Sequence, residues 1–404
     1  MFDILTQLAA ILIISFFLKE LADRINIPFI VLLVLGGTVA ATYGIVDVKS
    51  LEPFPDLIRT VALILVVFSS AFYLNIEQLK KHSKSIFMLA TIGVLLTTAI
   101  ISVTTLYFLP IPFITAAFLG VLLSGTDPAA IATSLPKKAS KVADLLRAES
   151  LFNSPFTVIL PLLLLSFVAI PEAVLVNIPK LFLLIVIGII IGTAGGTIGK
   201  RLLENIKQEH SETIALAIVI GTFVIAENLL GSGILAVAVC SIMLNRGHYP
   251  QKKFLGEFNS ELAFISTLFV FLLLGAQFSI SDLVFSRLEI FTIIIALILS
   301  RMVTVLVILF NSEFNLMEKI KIGLIAPKGV APAALAPLVL LPSFGIIGAE
   351  IIVKITYMAI VISVLLSVIV TKLTIEPESE EDKMKRELEE KRELRDTKKS
   401  QSLL

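Results

Sequence analysis

Apolar residues in this chain fall into runs of roughly 20, with the polar and charged residues gathered in short clusters between them. An α-helix rises about 1.5 Å per residue, so each run is long enough to cross the roughly 30 Å of hydrocarbon in a bilayer. The pattern predicts thirteen spans, at 3–20, 28–46, 55–75, 84–108, 112–135, 148–169, 179–199, 212–230, 232–245, 258–279, 286–311, 319–342 and 346–372. The first apolar run, Ile4 to Leu18, has no basic leader before it and no small-residue cleavage site after it, and is read as a span rather than a removable signal.

Two of the runs are interrupted. The fifth contains "LLSGTDPAAIATSL" (122–135), where Asp127 precedes the helix-breaking Pro128, and the twelfth contains "LIAPKGVAPAALAPLVLLP" (324–342), broken by Pro327, Gly329 and Pro332. Thirteen spans divide into six, one and six. An odd spacer helix inverts the second half relative to the first, and inverted repeats place binding sites at interrupted helices in corresponding positions. The fifth and twelfth spans are such a pair, and each carries one ionisable residue at its break, Asp127 and Lys328. The expected organisation is an all-α polytopic membrane protein. Its membrane domain covers 1–372, with a first repeat at 1–170, a linker helix at 179–199 and a second repeat at 212–372, and a charged tail follows at 373–404.

Composition agrees. The 404 residues are 57% hydrophobic and 16% charged, against about a quarter charged in soluble domains, and no stretch is left over for a large soluble domain. Net charge is +1, but Lys and Arg concentrate in alternate loops, among them Lys137, Lys138, Lys141 and Arg147. The positive-inside rule then places the N-terminus outside and the tail in the cytoplasm of a multi-pass plasma-membrane protein. Nothing in the charge pattern points to nucleic acid; the bilayer is the partner. The tail, "EPESEEDKMKRELEEKRELRDTKKSQSLL", mixes signs partly at i, i+4 spacing and reads as a solvated segment. Cys240 is the only cysteine and is read as packing, and His82, His210 and His248 lack ligand-like spacing, so neither a disulfide, a resident metal nor a cofactor is expected.

The chemistry therefore centres on the break. A carboxylate within the hydrocarbon costs roughly 2.5–3.5 kcal/mol on insertion scales and so faces a cavity, a partner or a substrate path. Pro128 opens the helix and is expected to leave the carbonyls of 123–125 free; with the Thr126 hydroxyl and the Asp127 carboxylate they offer the all-oxygen shell of a hard monovalent cation. Asp127 also suits the cap of the half-helix that starts at Pro128, and both roles can hold. The sixth span opens "RAESLFNSPFTVIL", where Ser150, Asn153 and Ser154 form a polar stripe with Glu149 at its edge. Arg301, in "LILSRMVTVLV", lies too deep to snorkel and needs a counter-charge, for which Glu149 is the best candidate. Glu227 and Lys354 are placed near outer helix ends without a role.

Taken together, "LADRINIPFIVLLVLGG", "SGTDPAA", "ESLFNS", "LLGSGILAVAVCSIMLNRG", "SRMVTVL" and "PKGVAPAALA" resemble the NhaP-type sodium/proton antiporters of the monovalent cation:proton antiporter superfamily, over residues 1 to about 372. The resemblance implies a homodimer of 13-helix subunits, each with a dimerisation domain and a core domain holding crossed, unwound fifth and twelfth helices, and elevator-like alternating access. It implies that Thr126, Asp127 and Ser150 hold the ion, that Glu149 pairs with Arg301, and that Lys328 stands where a basic residue, more often Arg, occupies the twelfth-helix break. Two positions depart from the family pattern: Asn153-Ser154 replaces an Asn-Asp pair, and Ser69 or Ser70 stands where many members have an acid in the third helix. Asp127 is then the one acid placed at the ion site, which implies one-for-one, electroneutral exchange of Na⁺, Li⁺ or K⁺ for H⁺. The alternative is a cation or small-solute permease that has lost proton coupling. An intramembrane aspartyl protease needs two facing aspartates, and only Asp127 is visible, so no enzyme is expected.

Overall fold

The computed structural model describes residues 2–25, 27–48, 54–72, 83–135, 141–168, 174–205, 211–247, 249–278, 288–341 and 345–374. The three histidines, several loop lysines and nearly all of the charged tail lie outside them. Among the described residues the regular structure is entirely helical.

The helices are α1 (Phe2–Ile25), α2 (Phe29–Thr42) and α3 (Phe54–Phe72), then α4, made of Ser83–Met88 and Val94–Phe108 joined by a π-helical turn at Leu89–Gly93. The fifth predicted span is two half-helices, α5 (Phe113–Leu122) and α6 (Pro128–Ser134). After α7 (Lys141–Val168) come α8 (Val174–Asn205), α9 (Ser211–Asn228), α10 (Gly233–Asn245), α11 (Lys252–Gly275) and α12 (Leu288–Ile308). The twelfth predicted span is again divided, into α13 (Leu316–Leu324) and α14 (Val330–Leu335), the latter running into a 3₁₀ turn at Ala336–Leu340, and α15 (Ala349–Thr374) follows. Among the described residues seven helices are long and apolar enough to cross a membrane unaided.

Helix ends depart from the predicted limits where hydropathy and backbone preference disagree. The span expected at 148–169 starts as a helix at Lys141, and the one expected at 258–279 starts at Lys252, because charged residues leave the hydrocarbon without leaving the helix. The second span, expected to reach residue 46, stops at Thr42, where the chain turns through Gly44 at φ +70°, a conformation that favours glycine.

α4 through α7 and α12 through α15 follow the same plan of long helix, broken helix, long helix. They pack on each other, with the Thr97 hydroxyl of α4 3.2 Å from that of Thr304 on α12. Against this unit lie α1–α3 and α8–α11, in which α3 and α2 pack on α11 and α8 packs on α10. With no hydrophobic drive between helices in lipid, close backbone approach must supply the association energy. Gly37 and Gly275 permit it between α2 and α11: a Cβ on Gly37 would strike the Leu272 carbonyl, and one on Gly275 the Val34 carbonyl. Thr38 ties the two units together, its Oγ1 donating to the Gly275 carbonyl at 3.0 Å and lying 3.1 Å from the Tyr357 hydroxyl of α15.

Candidate functional site

Both helix breaks meet at one point. α5 ends at Leu122, and Asp127, extended at φ −101° and ψ 126°, caps α6: its Oδ2 accepts from the Ala130 N–H at 2.8 Å, with Pro128 at the first helical position, where a missing N–H costs nothing. Its Oδ1 accepts from the Val330 N–H, the first residue of α14, at 3.0 Å. One carboxylate thus faces the starts of two half-helices, where exposed N–H groups favour negative charge. The Asp127 N–H donates across to the Pro327 carbonyl at 3.1 Å. Gly329 is obligatory at this approach, since any Cβ there would overlap the Asp127 carboxylate.

Lys328 enters the crossing from the other broken helix. Its side chain is 2% exposed, and its Nζ donates to the Gly125 carbonyl at 2.7 Å while its backbone N–H donates to Ser363 Oγ on α15 at 2.9 Å. At Gly125 this corrects the expectation of free carbonyls at 123–125. A buried ammonium is costly unless hydrogen-bonded, and the opened turn supplies Gly125 as its acceptor.

The polar stripe on α7 divides by direction. Asn153 Nδ2 donates to Thr126 Oγ1 at 3.0 Å, and its Oδ1 is buried with no partner among the described residues. Ser150 is fully buried, but its Oγ donates to the Arg147 carbonyl of its own helix at 2.9 Å, and it does not line the cavity beside Asp127. The side chain of Ser154 lies outside the described residues. Glu149 and Arg301 form a two-pronged ion pair, Nη1 to Oε1 at 2.7 Å and Nη2 to Oε2 at 2.6 Å, with both residues buried. Glu227 Oε1 accepts from the Gly233 N–H, the first of α10, at 2.7 Å.

A small cavity of about 20 Å³ borders Asp127. Its wall joins the two units: Leu63, Val66, Val67 and Ser70 come from α3, and Gly125, Thr126, Asp127, Thr157 and Gly329 from the crossing and α7. Of the two candidate serines on α3, Ser70 lines this space, whereas Ser69 lies 3.4 Å from Ser260 Oγ on α11. Thr157 was missed in the sequence, although it stands one turn after Asn153 and so continues the same stripe.

A polytopic all-helical protein whose two halves interlock at paired helix breaks, with a buried acid beside a cavity between two helical units, is a secondary transporter by architecture. Comparison with known proteins agrees. Residues 9–376 match the family described as "Sodium/hydrogen exchanger, transmembrane", and the chain belongs to that family. It is 28% identical over 345 residues to the "Probable Na(+)/H(+) antiporter 2" of Methanocaldococcus jannaschii, covering 80% of this chain and 81% of that one. It is 25% identical over 338 residues to the K(+)/H(+) antiporter NhaP of Alkalimonas amylolytica, covering 81% of this chain but only 59% of that protein. The fold is similar to that of the sodium proton antiporter MjNhaP1 of M. jannaschii, with a TM-score of 0.83 at 24% identity over 90% of this chain and 98% of that one.

Proposed function

We propose that this chain exchanges a monovalent cation for H⁺ across the membrane at the Asp127 cavity. The observation that carries the reading is a single buried carboxylate, 6% exposed, at the crossing of two broken helices and on the wall of a cavity between two helical units. One carboxylate holds one proton or one monovalent cation, so competition between them gives one-for-one, electroneutral exchange. Thr126, positioned by Asn153, stands beside Asp127; Glu149, Arg301 and Lys328 hold the crossing rather than the cargo.

Alternating access follows from the cavity's position if α4–α7 and α12–α15 move as a unit against α1–α3 and α8–α11, exposing Asp127 to each side in turn. The loop charges favour an N-terminus outside and a C-terminus inside. The family likeness favours a homodimer, which cross-linking in native membranes would check.

The test is Asp127→Asn in proteoliposomes reporting internal pH. A cation pulse is expected to move protons in the wild type and not in the variant, which should still elute as the folded protein. Because the amide turns an NH₂ toward one backbone donor and leaves it unsatisfied, a loss of about 1–3 kcal/mol of stability should accompany it. Retained exchange would overturn the assignment. A membrane potential developing during exchange would refute the stoichiometry. Cation flux without proton movement would favour an uncoupled permease, the reading that Ser154 in place of an acid suggests.

A further inference from the structure

We infer that Asn259 and Gln277, at the two ends of α11, are water-binding sites, one toward each face of the membrane, through which the Asp127 cavity exchanges water as it opens to either side. This rests on the antiport reading of that cavity and deepens it.

Among the described residues, these are the two side-chain amides whose nitrogen and oxygen are both buried without a partner. Asn259 is 1% exposed. A buried donor or acceptor left unmet forfeits its hydration, and a bound water, which both donates and accepts, is the ligand that meets an amide's two kinds of group together. The placement of the pair is as telling as its chemistry. Eighteen residues separate Asn259 from Gln277, about 27 Å at the helical rise and close to the roughly 30 Å of hydrocarbon. Asn259 lies two turns inside the charged start of α11 at Lys252 and Lys253, and Gln277 lies just past its other end at Gly275.

Both amides also adjoin the ground between the two helical units. Beside Asn259, Ser260 Oγ lies 3.4 Å from Ser69 Oγ of α3, a slack separation for two hydroxyls, and the next residue, Ser70, lines the cavity. Beside Gln277, Phe278 meets Tyr357 edge-on with ring centroids 4.5 Å apart, and Tyr357 belongs to α15 in the unit that carries Asp127. α11 itself packs on α14 of the crossing. A cavity of about 20 Å³ has room for a single water. The waters that a cation sheds on entering and regains on leaving therefore need other polar groups to hold them, and α11 offers an unmet amide at each end.

The test combines rates with chemical access in proteoliposomes of the full chain. Asn259→Leu and Gln277→Met keep the bulk and delete the unmet groups. Each is expected to lower the maximal exchange rate about fivefold, the equivalent of one hydrogen bond to water, with the half-saturating cation concentration unchanged within about twofold and no fall in unfolding temperature. An unchanged rate, or a lost rate accompanied by a lower unfolding temperature, would mark the amides as packing and overturn the inference. Cys240 is the chain's one cysteine, so Asn259→Cys and Gln277→Cys can be read singly in a Cys240→Ala background with a membrane-impermeant cationic methanethiosulfonate. Each thiol is expected to react from one side only, the two from opposite sides, and faster when a cation gradient drives exchange. Reaction of both from the same side, or of neither, would overturn the inference. Wild-type protein that moves no protons with any alkali cation would overturn the antiport reading itself, which thiol access does not measure.

Discussion

The Glu149–Arg301 pair allows a stability prediction that needs no transport assay. Both side chains are buried, Glu149 at 0% and Arg301 at 3% exposure, and two short hydrogen bonds join them. Removing one partner strands a charge away from water, which costs about 3–5 kcal/mol, roughly a hundredfold to several-thousandfold in the folding equilibrium. Glu149→Gln and Arg301→Met are each expected to fall in that range. Removing both charges is a different matter, because the pair's attraction was offset by its own desolvation. Arg301 Nε is already buried with no partner among the described residues, so the wild-type pair carries an unrecovered cost. Glu149→Leu with Arg301→Met should therefore return to within about 1 kcal/mol of the wild type. Reversible unfolding in mixed micelles, run as a double-mutant cycle, measures all of these terms. Single substitutions costing under about 1 kcal/mol, or a double variant equal to the sum of its singles, would refute the claim that the two charges form one buried unit.

Two further outcomes follow from the packing. Gly329→Ala should lower exchange at least tenfold and cost about 1–3 kcal/mol, since its Cβ must displace the Asp127 carboxylate; exchange within twofold of the wild type would show that the crossing gives way. Tyr357→Phe should cost only about 0.5–1.5 kcal/mol in thermal unfolding and leave the half-saturating cation concentration unchanged, because Thr38 keeps its bond to the Gly275 carbonyl; a shifted half-saturation would place Tyr357 in the transport path.

The breaks were legible because proline and glycine act on the backbone locally. Pro128 and the Pro327–Gly329–Pro332 cluster announce interrupted helices wherever the chain goes, and equivalent positions in two halves single out that pair of segments. What the breaks do to each other was not legible. The sequence offered the 123–125 carbonyls as free, and only the crossing brings Lys328 to Gly125, 203 residues away. The direction of a hydroxyl is equally a matter of three dimensions: Ser150 and Asn153 share a helical face, yet Ser150 bonds its own backbone while Asn153 reaches Thr126. Ser69 and Ser70 are adjacent in the chain and point about 100° apart on a helix, so only the position of α3 decides between them. Thr157 could have been found by extending the stripe one turn, but a lone threonine in a membrane helix is too common to stand out.

The crossing also bears on how force travels through the molecule. Three polar bonds join its two strands: Asp127 N–H to Pro327, Val330 N–H to Asp127 and Lys328 to Gly125. In a place where little water can substitute, parting them would expose several unmet donors and acceptors at once, so the knot is cheaper to carry than to untie. A pull on either broken helix is delivered to the other through a rivet that includes the acid itself.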